Sequence, residues 1–319
     1  LRRIRDSFNY VYLPLNRKTV LYDLFSVKNR NFRSHNHILK NDEEELGRYY
    51  FDQAINDVEI LIKECYSRTS MMISKINNDF RNKILKSSIE VLSSFDINEF
   101  IKQIASSSSI SDIKKTKKSF IKIAREIELL SPDEESIYDK FFQDYIDELM
   151  SMKDNKKMEI EIIAKFQDIS RIKKIVSMAE EMEMQKEQYL KPIELFLGTI
   201  NDFIKTADDE KELKIDEYGN LYFQTIYSSD KISVQNLSSG EKQLVIFFAN
   251  LIFRVKGNSS GIFVVDEPEI SLHLSWQKTF VEKALNINKN IQLIFATHSP
   301  ELIGKYRNKT FRLVKEYIG

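Results

Sequence analysis

Three short polar motifs, each beside an apolar run, carry groups that can act on a phosphate. In the first, Asp266 and Glu267 follow the apolar run Ile262 to Val265, and Pro268 comes next. Such a run predicts a fully buried strand of a parallel sheet, with both acids at its carboxyl end, where ligands bind in open α/β sheets. One carboxylate there can hold Mg²⁺ and the other can polarise an attacking water. On this motif alone, a strand that merely ends in a polar turn is an equal alternative.

The second motif, Leu237 to Gln243, precedes the apolar run Leu244 to Phe253. Ser238 and Glu241 have the spacing of a capping box, which predicts that a helix begins here. A helix start that offers a serine hydroxyl, a glycine and free backbone N–H groups is also an anion site.

The third motif, Ala296 to Pro300, follows a second apolar run, Ile291 to Phe295, which predicts a second buried strand. A histidine at the carboxyl end of a strand, here His298, can donate a hydrogen bond to a phosphate. The segment from Leu274 to Ile287 is predicted to be the crossover helix between the two strands, and a right-handed crossover makes them parallel.

In this order and spacing, the three motifs resemble the head of ABC-type ATPases: signature motif, Walker B with catalytic glutamate, D-loop and switch histidine. The run from Asp266 to His273, followed by Trp276 and Gln277, resembles the RecF, Rad50 and OLD-like branch. That branch includes the Septu-type and retron-associated ATPases of bacterial anti-phage defence. The resemblance covers residues 211 to 311, and it implies an α/β fold: an ABC-ATPase head of mixed or parallel sheet and flanking helices, carrying a mostly α-helical insertion.

The resemblance also implies a role for each matching residue. Asp266 would hold Mg²⁺, Glu267 would activate the hydrolytic water, and His298 would contact the γ-phosphate of ATP. The implied nucleotide-binding and interface residues are Ser238, Ser239, Gly240, Glu241, Ser271 and His273, of which Ser238 and Gly240 would reach a nucleotide held by a second subunit. Two residues depart from the family pattern, since Ser239 replaces a frequent glycine and Leu274 a common proline.

The sequence contains no Gly-x-x-x-x-Gly-Lys-Ser/Thr loop, because no two of its glycines have that spacing. ABC heads carry this phosphate-binding loop near the N-terminus. We therefore expect that residues 1–40 are the remainder of an N-terminal lobe whose P-loop part is missing through truncation, proteolysis or disorder. The alternative is a degenerate half-site.

Composition limits the remaining classes of protein. The 319 residues are 42% hydrophobic and 30% charged, and 48 basic residues balance 48 acidic ones, so no overall basicity points to nucleic acid. A single cysteine and the lack of a long apolar run favour a cytoplasmic protein. We expect a helical insertion at 41–206, as a bundle or short coiled coil, and a C-terminal ATPase lobe at 207–319.

Within the insertion, helices are predicted from Glu43, from Pro132 and from Pro192 to Thr206, with a loop from Ile104 to Ile110. The one dense basic cluster runs from Lys114 to Lys118 and can contact phosphates, although a solvated helix face is the preferred interpretation. Isolated polar residues near the N-terminus favour plain surface roles over phosphate or metal binding: Arg17, His35 and His37.

The expected activity is ATP hydrolysis by a homodimer that sandwiches two ATP molecules, because signature residues act across the dimer. By family analogy the ATPase would control a partner nuclease, with nucleic acid as a further partner, in antiviral defence. One alternative is a nucleotide-binding regulatory scaffold with little turnover. Another is the ATPase part of an OLD-like nuclease, but only Ser299 to Gly319 follow His298, too few for a Toprim-type domain.

Overall fold

The computed structural model describes residues 9–14, 43–90, 109–126, 132–155, 160–206, 211–225, 227, 229–254 and 261–312. The chain divides into two compact units. One is formed by Leu1–Thr69 with Leu190–Gly319, and the other by Ser70–Tyr189. We call them the sheet unit and the helical unit. Arg17, His35 and His37 lie outside the described residues, and the domain limits at residues 41 and 206 stay predictions.

Four helices are described before the second sheet: α1 (Glu43–Glu90), α2 (Ser109–Glu126), α3 (Pro132–Asn155) and α4 (Ile160–Thr206). The predicted starts at Glu43 and Pro132 are confirmed. The predicted loop is wrong at its end, because Ser109 and Ile110 already belong to α2, and its earlier residues lie outside the described part.

The helix predicted to begin at Pro192 is instead the continuation of α4, with Pro192 inside it. Proline removes one backbone hydrogen bond and normally kinks or ends a helix. Here buried residues recur at helical spacing both before it, at Ala179 and Met182, and after it, at Phe196 and Ile200. Burial of this long apolar stripe outweighs the local cost of the proline.

The first sheet contains three described strands, β1 (Asn9–Pro14), β5 (Gly261–Asp266) and β6 (Ile291–Ala296), in the order β1-β5-β6. Both pairings are parallel. Helix α6 (Leu274–Ile287) connects β5 to β6, so the predicted crossover is confirmed.

The two strands are less buried than predicted. Along β5, buried positions alternate with half-buried ones, and in β6 Ile294 is 45% exposed. The helices that cover this sheet among the described residues pack on one face, through Phe263 and Val265. The continuous apolar runs therefore correctly predicted parallel strands. The prediction that both faces of these strands are fully buried was wrong.

A second sheet follows α4. Strands β2 (Lys211–Ile215), β3 (Leu221–Thr225) and β4 (Lys231–Ser233) are antiparallel in sequence order, which confirms the predicted hairpin. Asp216 closes the hairpin turn, accepting hydrogen bonds from the side chain and backbone of Asn220 at 2.9 and 2.8 Å. The side-chain hydrogen bond from Asn220 lowers the pKa of Asp216.

Helix α5 (Ser239–Ala249) forms the centre of the sheet-unit core. Its Phe247 ring packs against Phe280 of α6, with ring centroids 4.5 Å apart, and against Phe263 of β5 at 6.3 Å. Phe248 and Phe203 extend this aromatic cluster to α4. The run Leu244 to Ala249 is therefore apolar all round because it is buried on all sides, whereas Ile252 and Phe253 beyond it are half-buried.

The helical unit has a core of its own. Ile113 and Phe120 of α2 pack with Phe142 and Tyr145 of α3 and with Ile169 of α4. A smaller cluster joins α1 to α4. Elsewhere, the strand predicted from Thr310 to Val314 is absent at 310–312, the only part of it that is described. Among the helices described, none has both the length and the apolarity needed to span a bilayer.

Replacing Phe280, which is fully buried, tests the aromatic core. We expect Phe280→Ala to lower the free energy of unfolding by about 3–5 kcal/mol, since it removes ring contacts and leaves a cavity. Urea unfolding can be followed by the fluorescence of Trp276, the single tryptophan, which lies in this core. The control is Phe311→Ala at a side chain that is 93% exposed, where the change should stay below about 0.5 kcal/mol. Equal losses in both variants would contradict this account.

Candidate functional site

The carboxyl ends of β5 and β6 bring two of the predicted motifs to one edge of the sheet. Asp266 is in register with Ala296 on one side and with Pro14 on the other. Beyond the strand end, the Glu267 backbone N–H still donates to the Ala296 carbonyl at 2.8 Å. The acids at 266 and 267 and the loop 297–299 with His298 therefore begin from adjacent points of the sheet.

Glu267 has an unusual backbone conformation. Its φ is +45°, and among the described residues it is the one non-glycine with a positive φ. The left-handed conformation costs an L-residue about 1–3 kcal/mol and persists where the surroundings enforce it, often at functional sites. Here it starts the turn 267–273, in which the Ile270 N–H donates to the Glu267 carbonyl at 3.3 Å.

A neighbouring acid, Glu269, fixes the loop that carries His298. The His298 backbone N–H donates to Glu269 Oε1 at 2.6 Å. The other oxygen, Oε2, is buried and has no hydrogen-bond partner in the described part of the chain. Since His298 itself is exposed, its backbone is held from inside while its ring stays accessible.

Two further buried side chains join the turn 267–273 to the loop 297–299. The Gln277 amide Nε2 donates to the carbonyls of Leu272, at 2.9 Å, and Glu269, at 3.3 Å. Its oxygen accepts from the Ser299 hydroxyl at 2.6 Å, and the same hydroxyl accepts from the Leu302 N–H at 3.2 Å. The position of the histidine loop therefore depends on the turn that follows Glu267.

The predicted capping box at the start of α5 is present. The Ser238 hydroxyl accepts from the Glu241 N–H at 3.4 Å, and the Ser238 N–H donates to the Glu241 carboxylate at 2.9 Å. Ser238 is exposed and Ser239 is half-buried, whereas Glu241 is 3% exposed and its carboxylate also pairs with Lys211. In this structure the Glu241 carboxylate is engaged with the protein, so it positions the helix start.

The start of α5 lies against the turn 267–273. A Cβ added to Gly240 would come within 2.3 Å of the Ser271 carbonyl oxygen, so only glycine fits there. Three residues further on, Gln243 is fully buried and its amide donates to the Pro268 carbonyl at 2.6 Å. The start of α5 and the turn after Glu267 thus form one packed structure.

His273 ends this turn and caps α6, because its Nδ1 accepts from the Ser275 N–H at 3.4 Å and lies 2.8 Å from the Ser275 hydroxyl. Ser271 contributes its carbonyl to the contact with Gly240. Beside them, Ile270 and Leu274 are 51% and 58% exposed. This part of the turn therefore presents apolar side chains to solvent.

The parts of α1 and α4 that belong to the sheet unit support these elements. Lys242, just after the capping box, donates to Asp52 of α1 at 2.9 Å, and Gln235 donates to Glu59 of the same helix. Burial raises the pKa of the Glu59 carboxyl, opposed by the hydrogen bond from Gln235. On the other side, the Trp276 indole N–H donates to the Phe203 carbonyl of α4 at 2.7 Å.

Sequence reasoning missed four positioning residues: Gln243, Glu269, Gln277 and Ser299. For Gln243 there was a signal, because a polar side chain next to the apolar run of a helix indicates a buried hydrogen bond. No group of three or more His, Cys, Asp or Glu side chains able to hold a metal occurs within the described ranges. Carboxylate oxygens at a strand end still fit Mg²⁺, which needs only one or two protein carboxylates beside phosphate and water oxygens.

Gly240→Ala tests the close approach of α5 to the turn. We expect the free energy of unfolding to fall by about 1–3 kcal/mol, because the added methyl group collides with backbone. Gly198→Ala is the matched control, since a Cβ there meets no atom within 4 Å, and the alanine should stabilise α4 by up to about 1 kcal/mol. Urea unfolding followed by Trp276 fluorescence measures the change in unfolding free energy for both variants. No loss of stability in Gly240→Ala would refute the contact.

The strain at Glu267 can be separated from its carboxylate by comparing two substitutions. Glu267→Gly and Glu267→Ala both remove the acid, but only glycine accepts a positive φ without cost. We expect the glycine variant to be the more stable of the two by about 1 kcal/mol. Equal unfolding free energies in urea would show that the backbone at Glu267 is not strained.

Comparison with known proteins bears on the three motifs. The chain is 27% identical to the Retron Vc95 probable ATPase of Vibrio cholerae serotype O1 biovar El Tor, over 56% of this chain and 37% of that protein. It is 33% identical to the Retron Ec83 probable ATPase of Escherichia coli, over 26% of this chain and 17% of that protein. The matched regions thus span well under half the length of either relative.

A solved Smc head domain with a coiled coil and joint, derived from Pyrococcus yayanosii, aligns with 81% of this chain and 61% of its own, at 13% identity and a TM-score of 0.26. So low a TM-score supports no structural conclusion. The family model described as "AAA domain, putative AbiEii toxin, Type IV TA system" matches residues 78–304. Because this match covers more than half of the chain, the protein belongs to that AAA-domain family, and its resemblance to retron-associated ATPases is confirmed.

Proposed function

We propose that this chain is the ABC-type head of an ATPase that hydrolyses ATP at the carboxyl edge of the sheet β1-β5-β6. The observation that supports the proposal most directly is the pairing of a strained Glu267 with a histidine loop held beside it. Glu267 directly follows the last residue of β5, and Glu269 in the same turn accepts a hydrogen bond from the His298 backbone N–H. Both relatives named above are probable ATPases.

In the proposed reaction, Glu267 accepts a proton from a water molecule as its oxygen attacks the γ-phosphorus of ATP. The bond from that phosphorus to the bridging oxygen breaks, and ADP and inorganic phosphate leave. His298 donates a hydrogen bond to the γ-phosphate and stabilises the charge that develops there. Asp266 would hold Mg²⁺, which when bound neutralises phosphate charge.

We further propose that the site is completed by a second copy of the chain. Ser238 is exposed at the start of α5, and the N-terminal end of a helix favours an anion. Gly240 and Ser239 belong to the same first turn, whereas the Glu241 carboxylate is used internally. Ser271 and His273 would lie at the dimer interface, where the exposed Ile270 and Leu274 provide apolar surface.

At the level of the whole protein, the proposal is that ATP turnover controls an effector, such as a partner nuclease acting on nucleic acid in antiviral defence. The support is the retron association in the names of the two relatives. The competing function is a nucleotide-binding scaffold that holds its partner with little turnover. Both functions require nucleotide binding, so turnover is the quantity that separates them.

Glu267→Gln is the decisive substitution. We expect it to lower the rate of phosphate release by about 10²-fold or more, because a general base typically contributes 10²–10⁴-fold. Affinity for ATP should be retained, and ATP should trap the dimer. Phosphate release, nucleotide binding and molar mass by light scattering measure the three effects.

Glu282→Gln is the matched control, since Glu282 lies on α6 and pairs with the exposed Lys305 at 2.9 Å. It removes the same charge and should leave turnover unchanged. Hydrolysis by Glu267→Gln at the parental rate would disprove the role of Glu267. Nucleotide binding without measurable turnover in the parent protein would favour the scaffold.

A further inference from the structure

Helix α2 in the helical unit concentrates positive charge in a chain whose total charge is zero. Its sequence, SISDIKKTKKSFIKIARE, has six basic and two acidic residues. One face of the helix is buried through Ile113, Phe120 and Ala124. The exposed basic residues lie away from that face: Lys114, Lys115, Lys118, Lys122 and Arg125. None of them has a part in the proposed nucleotide site.

These side chains line a groove of about 710 Å³ along α2. Its basic lining residues are Lys114, Lys117, Lys118, Lys122 and Arg125. Among the residues that the structure describes, the lining contains a single acid, Glu135, and no aromatic ring. The described lining therefore combines a high density of cations with no aromatic platform on which an unpaired base could stack.

The acidic helix α3 neutralises only part of this charge. Lys117 pairs with Asp139 at 2.9 Å, and Arg125 makes an ion pair with both carboxylate oxygens of Glu135. For Lys114 and Lys118, the described residues provide no carboxylate within ion-pair distance. Intramolecular pairing with α3 therefore does not account for the whole basic face.

Lys114, Lys118 and Lys122 are exposed and recur at every fourth residue, so they form a row along the helix. With a rise of about 1.5 Å per residue, consecutive lysines lie about 6 Å apart along the axis. A row of lysines at this spacing can place several ammonium groups along one phosphate strand of a duplex, because each charge lies at the end of a flexible four-carbon stem. Lysine ammonium groups bind phosphate as point charges and do not read bases.

We propose that this groove binds the phosphate backbone of a double-stranded nucleic acid, independently of sequence, through Lys114, Lys118 and Lys122. The proposal deepens the proposed function by placing the nucleic-acid partner on the helical unit, and it rests on that function only for the choice of partner. An acidic protein is the other class of ligand for such a face. The even row of lysines favours a regular phosphate backbone, as does a lining in which Ile121 is the one apolar residue within the described part of the chain.

Binding should weaken as the salt concentration rises, and the steepness of this loss reports the number of phosphate contacts. Three phosphate contacts predict a slope of log K against log salt of about −2.7 from this groove, or a loss of about 40-fold in affinity between 50 and 200 mM salt. The measurement is the fluorescence anisotropy of a labelled 25-base-pair DNA duplex of arbitrary sequence, titrated with the full chain across this range. We expect K114Q/K118Q/K122Q to lack this salt-dependent component.

The matched control is K75Q/K86Q/K191Q, which removes three exposed lysines from the long helices outside the groove. It has the same net charge as the groove variant and should keep the parental slope. The proposal is overturned if the parent does not bind the duplex, if both variants lose equally, or if the groove variant keeps the parental slope. Tighter binding of an unpaired strand of the same length would overturn the assignment to a double helix.

ATP turnover without DNA is measured on the same three proteins to keep the two proposals apart. The groove variant should turn over ATP at the parental rate, because its substitutions lie outside the nucleotide site. A parent that binds duplex but does not hydrolyse ATP would refute the ATPase and leave the groove standing. A parent that hydrolyses ATP but shows no groove-dependent binding would refute the groove and leave the ATPase standing.

Discussion

The contact on which the sheet unit depends is the close approach of the start of α5 to the turn 267–273. Gly240 brings the two backbones together at Ser271, and Gln243 donates to the Pro268 carbonyl from a fully buried position. A buried amide that lost this acceptor would cost about 1–3 kcal/mol, so the contact is strongly specified. Through it, helix α5 and the turn that follows Glu267 keep one relative position.

From this contact the hydrogen bonds extend in two directions. Gln277 and Ser299 link the turn to the loop of His298, and Glu269 holds the histidine backbone directly. On the other side, Lys242 and Trp276 tie the same elements to α1 and α4. These two helices also continue along the chain into the helical unit. Within the sheet unit, a displacement of either helix would therefore act on groups next to the proposed nucleotide site.

Much of the local structure was predictable because it depends on neighbouring residues. The capping box of Ser238 and Glu241, the hairpin around Gly219, and the crossover from β5 to β6 each follow from short-range patterns that the structure confirms. The helix start at Pro192 and the full burial of the strands were predicted wrongly because they depend on residues distant in sequence. The stripe of buried residues that carries α4 past the proline, and the face of β6 left exposed, are set by packing partners far away in sequence.

The sequence by itself determined which chemical groups are present, their order, and the strand and helix ends on which they lie, because those follow from spacing and capping. It could not show that Glu267 adopts a left-handed conformation, or that Glu241 faces the protein while Ser238 faces solvent. Nor could it identify Glu269, Gln277 and Ser299 as the residues that hold the His298 loop. Those features were decided only by the tertiary structure, since each depends on which backbone carbonyl or N–H group a distant segment brings within hydrogen-bond distance.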